Sequence, residues 1–271
     1  MSRAISSIAL FVFCVALLFY VLSKTTPTRS CRVAEIDGPD VLVARAEPKT
    51  SSEKRMVIPC GESDIEKLRD VAWSEDAEWF KVRCNDMSGW VMADYLTCRF
   101  SEEDARKLIA QRADEVIRAL KHYDVRRFAG YVHPKKGVRL SPYAYVDPED
   151  DVRLTARELV RASESGEKHI WGTYDGRDAD IFLTFPDYYR DFIYDHDFEN
   201  VEQVGYNKFI GKGNTINTAW DVYPNAIIVE YHFPGFDPEL APAAWSSLRL
   251  VFEELDHQWY VVAIIHDEWT I

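Results

Sequence analysis

No charged residue occurs between Ala4 and Ser23, and most positions in that run are apolar. A stretch of about 20 such residues matches the hydrocarbon core of a bilayer. Arg3 precedes the run, and Lys24 and Arg29 follow it. With the free amine counted, the flanking charge nearly balances and sets no orientation. Two readings stand: an uncleaved anchor, or a signal peptide cut near Val21-Leu22-Ser23. The length of the run favours the anchor. A lipoprotein reading fits poorly, because Cys14 sits inside the run and Cys31 lies well past its end.

Cysteine usage supplies the missing orientation. Apart from Cys14, the cysteines are Cys31, Cys60, Cys84 and Cys98, and none follows. An even number confined to one small module is the pattern of an exported, disulfide-forming segment. A zinc site is the alternative, but no C-x-x-C pair is present. Everything after Lys24 is therefore expected outside the cytoplasm, periplasmic or extracellular, on a single-pass membrane protein. The formal net charge of -13 excludes broad contact with nucleic acid, which demands a basic surface. It leaves room for basic or neutral ligands.

Residues 25–30 read as a polar linker around Pro27. Residues 31–98 read as short strands, with cores at Val41-Leu42-Val43, Met56-Val57-Ile58, Trp79 to Cys84 and Gly89 to Met92. The polar stretch from Ser63 to Asp76 reads as an excursion from a loop. Ser101 with Asp104 signals a helix start, followed by Ala105, Leu108, Ile109, Val116, Ile117 and Leu120 at helical spacing. Asp124 caps a further short turn. Thr155 with Glu158 opens another helix, and Pro186 to Tyr194 a third. Asp175-Gly176 marks a turn between strand-like flanks. Ala226 to Phe233, Leu248 to Glu253 and Gln258 to Ile265 read as strands. Helices first and an antiparallel sheet after is an α+β order.

Two resemblances follow. The phrases Trp79-Phe80-Lys81-Val82, Gly89-Trp90-Val91 and Tyr95-Leu96 resemble the closing third of bacterial SH3-like domains, and Val43 to Pro48 looks like a degraded copy of that family's opening signature, with Ala44 in place of the usual Asn. In that family Trp and Val pack the closing strands and the Gly allows a tight turn. The resemblance implies a small barrel whose ends meet, hence a Cys31–Cys98 link, with Cys60–Cys84 as the second pair. Ala119-Leu120-Lys121-His122-Tyr123-Asp124 and Tyr131-Val132-His133-Pro134 are similar to the helix-then-turn opening of cone-shaped NTF2-like domains. Tyr131 to Tyr145 and Trp245 to Ile271 resemble uncharacterised bacterial envelope proteins that pair the two modules. The expected fold class is thus an all-β SH3-like barrel (31–98) plus an α+β cone-type NTF2-like domain (99–271), after an N-terminal membrane helix (1–24).

Candidate chemistry is thin. His133, before Pro134 and a Lys-Lys-Gly turn, could overlook a cone cavity as a base, or could satisfy its own turn. His266, placed by strand alternation on one face with Tyr260, Val262 and Ile264, could project into the pocket, with Asp267 pointing away. Asp147 to Asp151 and Tyr194 to Asp197 gather oxygens without calcium-loop spacing. Ser141 and Ser246 lack a nucleophile elbow. Gly211-Lys212-Gly213-Asn214 lacks a phosphate-loop pattern. Tyr143, Tyr145, Tyr188, Tyr189, Trp220 and Trp245 could form a glycan- or peptide-stacking surface or pack the core. No metal or cofactor is expected. The reading is a membrane-tethered envelope protein with a non-catalytic binding or scaffolding role towards a protein or peptidoglycan partner. The alternative is an enzyme or small-molecule binder with a pocket in the C-terminal domain.

Overall fold

Strand pairing dominates the computed structural model, which describes residues 29–33, 41–59, 63–177, 179–235, 244–255 and 258–270. The first sheet contains β1 (Arg29–Val33), β2 (Val41–Arg45), β3 (Lys54–Pro59), β4 (Ser63–Ser74), β5 (Ala77–Cys84), β6 (Met87–Met92) and β7 (Leu96–Phe100). Its order is β3-β2-β6-β5-β4-β1-β7, and every neighbouring pair is antiparallel. Alternation sends Leu42 and Ala44, Met56 and Ile58, and Phe80 and Val82 into one core with Ile65, Val91 and Leu96. Gly89 lies within β6 rather than in a turn. A Cβ there would stand 2.9 Å from the Ala44 Cβ and 3.1 Å from the Arg45 carbonyl, so the approach of β2 to β6 requires glycine. The turn itself is made at Asn85, whose φ is 53°.

Cys31 and Cys98 face each other across β1 and β7 and are joined by a disulfide. Cys84 ends β5, where Asn85 Nδ2 approaches its sulfur. Cys60, its expected partner, lies outside the described residues, as do Cys14, the Ala4–Ser23 run and positions 25–28 of the linker.

The chain passes from the first sheet into the second core along β7. Asn225 Oδ1 accepts from the Cys98 amide at 2.8 Å, the Arg99 guanidinium lies 4.0 Å from the Trp220 ring centroid, and Phe100 packs edge-on against Trp259. Helix α1 (Glu102–Lys121) follows, with Ser101 as its cap accepting from the Asp104 amide. The short α2 (Val125–Ala129) is capped by Asp124, and α3 (Ala156–Glu164) by a reciprocal Thr155–Glu158 box. Helix α4 (Phe185–Phe192) carries Pro186 in its first turn, and α5 (Ala219–Val222) is a single turn.

The second sheet adds β8 (Val138–Ser141), β9 (Val152–Leu154), β12 (Gln203–Tyr206), β13 (Ile227–Phe233), β14 (Ser246–Leu255) and β15 (Gln258–Glu268), in the order β12-β13-β14-β15-β8-β9. Among the described neighbouring strands of this sheet, β8 and β15 run parallel and the other pairs antiparallel. The strands β10 (Lys168–Thr173) and β11 (Asp180–Thr184) form a separate hairpin around Asp175-Gly176. One face of the six-stranded sheet packs on the helices, through Val229, Leu250, Phe252 and Ile264 against Ile109, Ala113, Val116 and Leu120. The other face carries a smaller core of Ile228, Val251, Ala263 and Ile265 beneath Ala219, Tyr223 and Val146. Covering both faces explains why β13 is buried along nearly its whole length, Glu230 and His232 included.

This architecture corrects the expected fold class. Of the described residues, 44% are strand and 24% helix, arranged in several sheets. No helix among the described residues is long and apolar enough to cross a membrane. The barrel-plus-cone expectation fails for two physical reasons. Ser63–Ser74, expected as a polar loop excursion, is a 12-residue strand paired with both β1 and β5. Backbone pairing holds it there, so its polar side chains leave no apolar period to read. In β14 and β15 the polar residues Ser246, Ser247, Arg249, His266 and Asp267 are buried, and the strands run past the apolar stretch that marks them in the sequence.

Candidate functional site

The chain opens a cleft of about 520 Å³ just beyond the C-terminal end of β8. Three segments converge there: 142–151 after β8, 172–176 at the tip of the β10–β11 hairpin, and 214–216. Tyr143, Tyr145 and Tyr174 supply aromatic surface, and Asp147, Asp150, Asp151 and Asp175 supply carboxyl groups. No Lys, Arg or His is among the described lining residues.

Each wall is held from behind. Arg139 looks like a solvent-facing residue in the short strand β8, yet it is 2% exposed. Its Nη1 donates to the carbonyls of Asp147 (2.6 Å) and Asp151 (3.4 Å), and its Nε to the Tyr223 hydroxyl at 3.1 Å. A buried guanidinium thus fixes the backbone of the acidic loop. Asp147 Oδ1 accepts from the amides of Glu149 and Asp150, which closes the turn and holds its carboxyl below its ordinary range. Asp151 Oδ2 accepts from Ser141 Oγ at 2.5 Å and from the Asp147 amide at 3.0 Å. Burial nevertheless pushes the Asp151 carboxyl up to about 6. Opposite, Asp175 Oδ2 accepts from Thr270 Oγ1 and Thr215 Oγ1, which lowers its pKa and ties the hairpin tip to both the 214–216 loop and the segment just past β15. Asn214 reinforces that tie by donating to the Thr270 carbonyl. The Tyr143 and Tyr174 rings rest on Phe192, and burial raises the Tyr143 phenol to about 12.

The two candidate histidines lie elsewhere. His133 accepts at Nδ1 from the amides of Lys135 and Lys136, and its ring meets Tyr260 edge-on. Burial, with Lys136 beside it, lowers its pKa. It fixes its own turn. His266 is 1% exposed in the helix-side core. A bulge at Val251/Phe252 shifts the register, so Val261 and Ile264 face the helices while Val262 and Ala263 face the other way. Strict alternation therefore misplaced Val262 beside His266, although Asp267 does point to the opposite face. His266 Nδ1 meets the Pro142 carbonyl at 3.2 Å, while Nε2 meets Ser246 Oγ at 3.2 Å and Asp195 Oδ2 at 3.4 Å. Burial opposes charge on His266, but the Asp195 carboxylate outweighs it and the pKa rises. Asp195 is also burdened by burial, yet its contacts with His196 and His266 hold it well below the carboxylate range.

That Ser246–His266–Asp195 set is not a nucleophilic triad. In a triad the acid and the serine engage opposite ring nitrogens. Here both approach Nε2, and Ser246 is as buried as the ring. The acid-rich 194–197 segment divides its work: Asp195 faces the histidines, and Asp197 pairs with Lys121. No group of three or more potential metal ligands assembles among the described residues. Gly211 donates its amide to Glu230, so the glycine-rich loop caps a buried carboxylate. Of the six aromatics singled out above, Tyr143 and Tyr145 reach the cleft. Tyr188 and Tyr189 pack in the main core, Trp245 covers His232, and Trp220 lies under Arg99. Tyr174 and Asp175 in the cleft lining, and Arg139 behind it, are among the residues that sequence reasoning passed over. Asp175 was read only as a turn residue, and a buried cation in a four-residue strand leaves no periodic signal.

No protein-family model, curated protein or solved structure matches this chain, so neither the SH3-like nor the NTF2-like resemblance is confirmed.

Proposed function

We propose that this is a non-catalytic binding protein of the cell envelope that holds its partner in the cleft between residues 142–151, 172–176 and 214–216. The observation that carries this reading is the cleft itself: concave, walled by three tyrosines and edged with carboxyl groups, on a backbone fixed by Arg139 and Asp175. Its volume falls in the range of small-ligand sites. A pocket of that size fits a few sugar rings or a short peptide better than a flat protein face, so peptidoglycan is the favoured partner over a folded protein. Export is supported by the Cys31–Cys98 disulfide, since such bonds persist in oxidising compartments. The non-catalytic part is supported by the histidines, one tied into its turn and one sealed in the core.

Cosedimentation with purified peptidoglycan tests the reading. The protein is expected in the pellet, and Tyr143→Ala with Tyr145→Ala is expected to leave it in the supernatant while still folded. Pelleting that ignores these substitutions would remove the cleft from the function. Mass spectrometry of the recovered peptidoglycan is expected to show it unchanged, and new cleavage products would overturn the non-catalytic assignment.

A further inference from the structure

We infer that the cleft seats a primary ammonium group, carried on a ligand whose body lies against the tyrosines. The inference rests on the reading of the cleft as the binding site and adds the chemistry of what it selects.

The cleft is a shaped cavity in which charge and aromatic surface are arranged together. Four aspartates line the cleft, and no basic side chain among the described residues lines it with them. Elsewhere in the fold, strongly buried carboxylates have cations against them: Glu230 and Asp267 on Arg249, and Asp195 on His266. In the cleft the one buried cation nearby, Arg139, sits behind the loop with its donors on carbonyls and a phenol. Both hydrogen bonds to the Asp151 carboxyl fall on Oδ2, leaving Oδ1 without a donor among the described residues. Holding that carboxylate ionised in a half-buried wall is unfavourable, and an arriving cation relieves the penalty. Tyr145, about half exposed, offers a ring face, whereas Tyr174 already has the Arg177 guanidinium 5.7 Å from its ring centroid; a ring face attracts a cation as well as stacking on an apolar or sugar surface. A bare metal ion fits worse, because the acids do not converge into a group able to coordinate one. An ammonium needs only one carboxylate oxygen and a ring face, and carries a body that fills the remaining volume.

In peptidoglycan such a group has two sources, a stem-peptide amine or an amino sugar lacking its acetyl group. Calorimetric titration separates them with two matched pairs of probes: chitotriose against tri-N-acetylchitotriose, and Nα-acetyl-Gly-Lys-Gly against its Nε-acetyl form. Work at about 0.15 M salt screens the protein's overall negative charge. The amine member of at least one pair is expected to bind tenfold or more tightly than its acetylated twin, and the pair that discriminates identifies the source. Asp151→Asn is expected to abolish most of that preference, and Tyr145→Ala to weaken both members. A thermal melt of each variant confirms folding. Equal binding of amine and acetylated forms, lost in Tyr145→Ala, would overturn the ammonium inference and leave the cleft reading standing. Amine binding that survives both substitutions would overturn both. No probe binding, with peptidoglycan pelleting still lost in the tyrosine variants, would likewise sink the ammonium inference alone.

Discussion

The sheet's outer face and the cleft both gather carboxylates, and they treat them in opposite ways. Under the 207–211 segment, Glu230 and Arg249 are fully buried and Asp267 nearly so. There Glu230 accepts from Arg249 Nε, Ser247 Oγ and the amides of Ile210 and Gly211, and Asp267 accepts from Arg249 Nη2. In the cleft, four aspartates share the lining with tyrosines, and no Lys, Arg or His is among the described lining residues. A paired and hydrogen-bonded carboxylate inside a sheet is architecture. A carboxylate held at a cleft wall with no cation bonded to it, and only Arg139 acting on it from behind the loop, is placed for something that arrives later. The contrast separates the two sets where composition and acidity alone would have pooled them.

The largest effect expected from this contrast is at Arg249. Arg249→Met leaves Glu230 and Asp267 buried without their cation, and breaking a buried pair from one side costs about 3–5 kcal/mol. Urea denaturation at neutral pH is expected to show a loss of that size. A loss under about 1 kcal/mol would mean that the serine and backbone donors suffice, and that the outer-face set is no more dependent on pairing than the cleft set.

Arg139 comes next, and it tests whether the cleft is preorganised. Removing its charged hydrogen bonds with Arg139→Met is expected to cost about 2–3 kcal/mol and to loosen the 147–151 loop. Hydrogen exchange at the Asp147 to Asp151 amides is expected to accelerate, and ligand affinity to fall although no lining side chain has changed. Unchanged exchange would show that Thr218, bonded to both the amide and the carbonyl of Val146, holds the loop without it.

These two arginines also show where the sequence stops being readable. The caps at Ser101, Asp124 and Thr155 were legible because capping is local chemistry, with donor and acceptor three residues apart. The Asp175-Gly176 turn and the apolar cores of β13, β14 and β15 were legible for the same reason. Ser63–Ser74 was not, because its strand is defined by partners and not by its own side chains. Arg139 and Arg249 were not, because a buried cation announces itself only through groups distant along the chain: Tyr223 for one, Glu230 and Asp267 for the other. The cleft joins three segments that are separate in the sequence, so Tyr143 and Tyr145 could be suspected of stacking while Tyr174 and Asp175, on a different hairpin, could not be placed beside them.

His266 offers a third carboxylate setting, a buried pair that depends on protonation. Its pKa is raised, because Asp195 favours the charged ring more than burial opposes it. A raised folded pKa contributes stability that is complete below the ordinary value of 6.5 and fades as pH climbs through the folded value. His266→Gln is therefore expected to cost about 2 kcal/mol in mildly acid buffer, the scale of a charged hydrogen bond, and progressively less above pH 6.5. Peptidoglycan binding is expected to persist, since the ring is sealed behind the cleft. Loss of binding at undiminished stability would give His266 a functional role and bring the enzyme reading back.

The smallest effect has the opposite sign and is the sharpest test of the comparison. Burial raises the Asp151 carboxyl to about 6, so the folded protein holds that proton more tightly than the unfolded chain does. Stability from this group is greatest below about pH 4 and declines as pH rises to about 6. At neutral pH the ionised Asp151 is a liability. The full shift corresponds to about 3 kcal/mol, and solvent at the cleft mouth together with loop relaxation reduces the expected effect to about 1 kcal/mol. Asp151→Asn keeps acceptors for Ser141 and the Asp147 amide and removes the charge. It is expected to stabilise the protein at pH 7 and to flatten the decline between pH 4 and 6, read by thermal melts across that range. The same substitution is expected to weaken ligand binding. Gain of stability with loss of affinity is the signature of a group retained for binding at the fold's expense. If Asp151→Asn instead destabilises at neutral pH, as removal of a carboxylate from the Arg249 set is expected to do, then Asp151 belongs with the architecture and the distinction between the two acidic regions collapses.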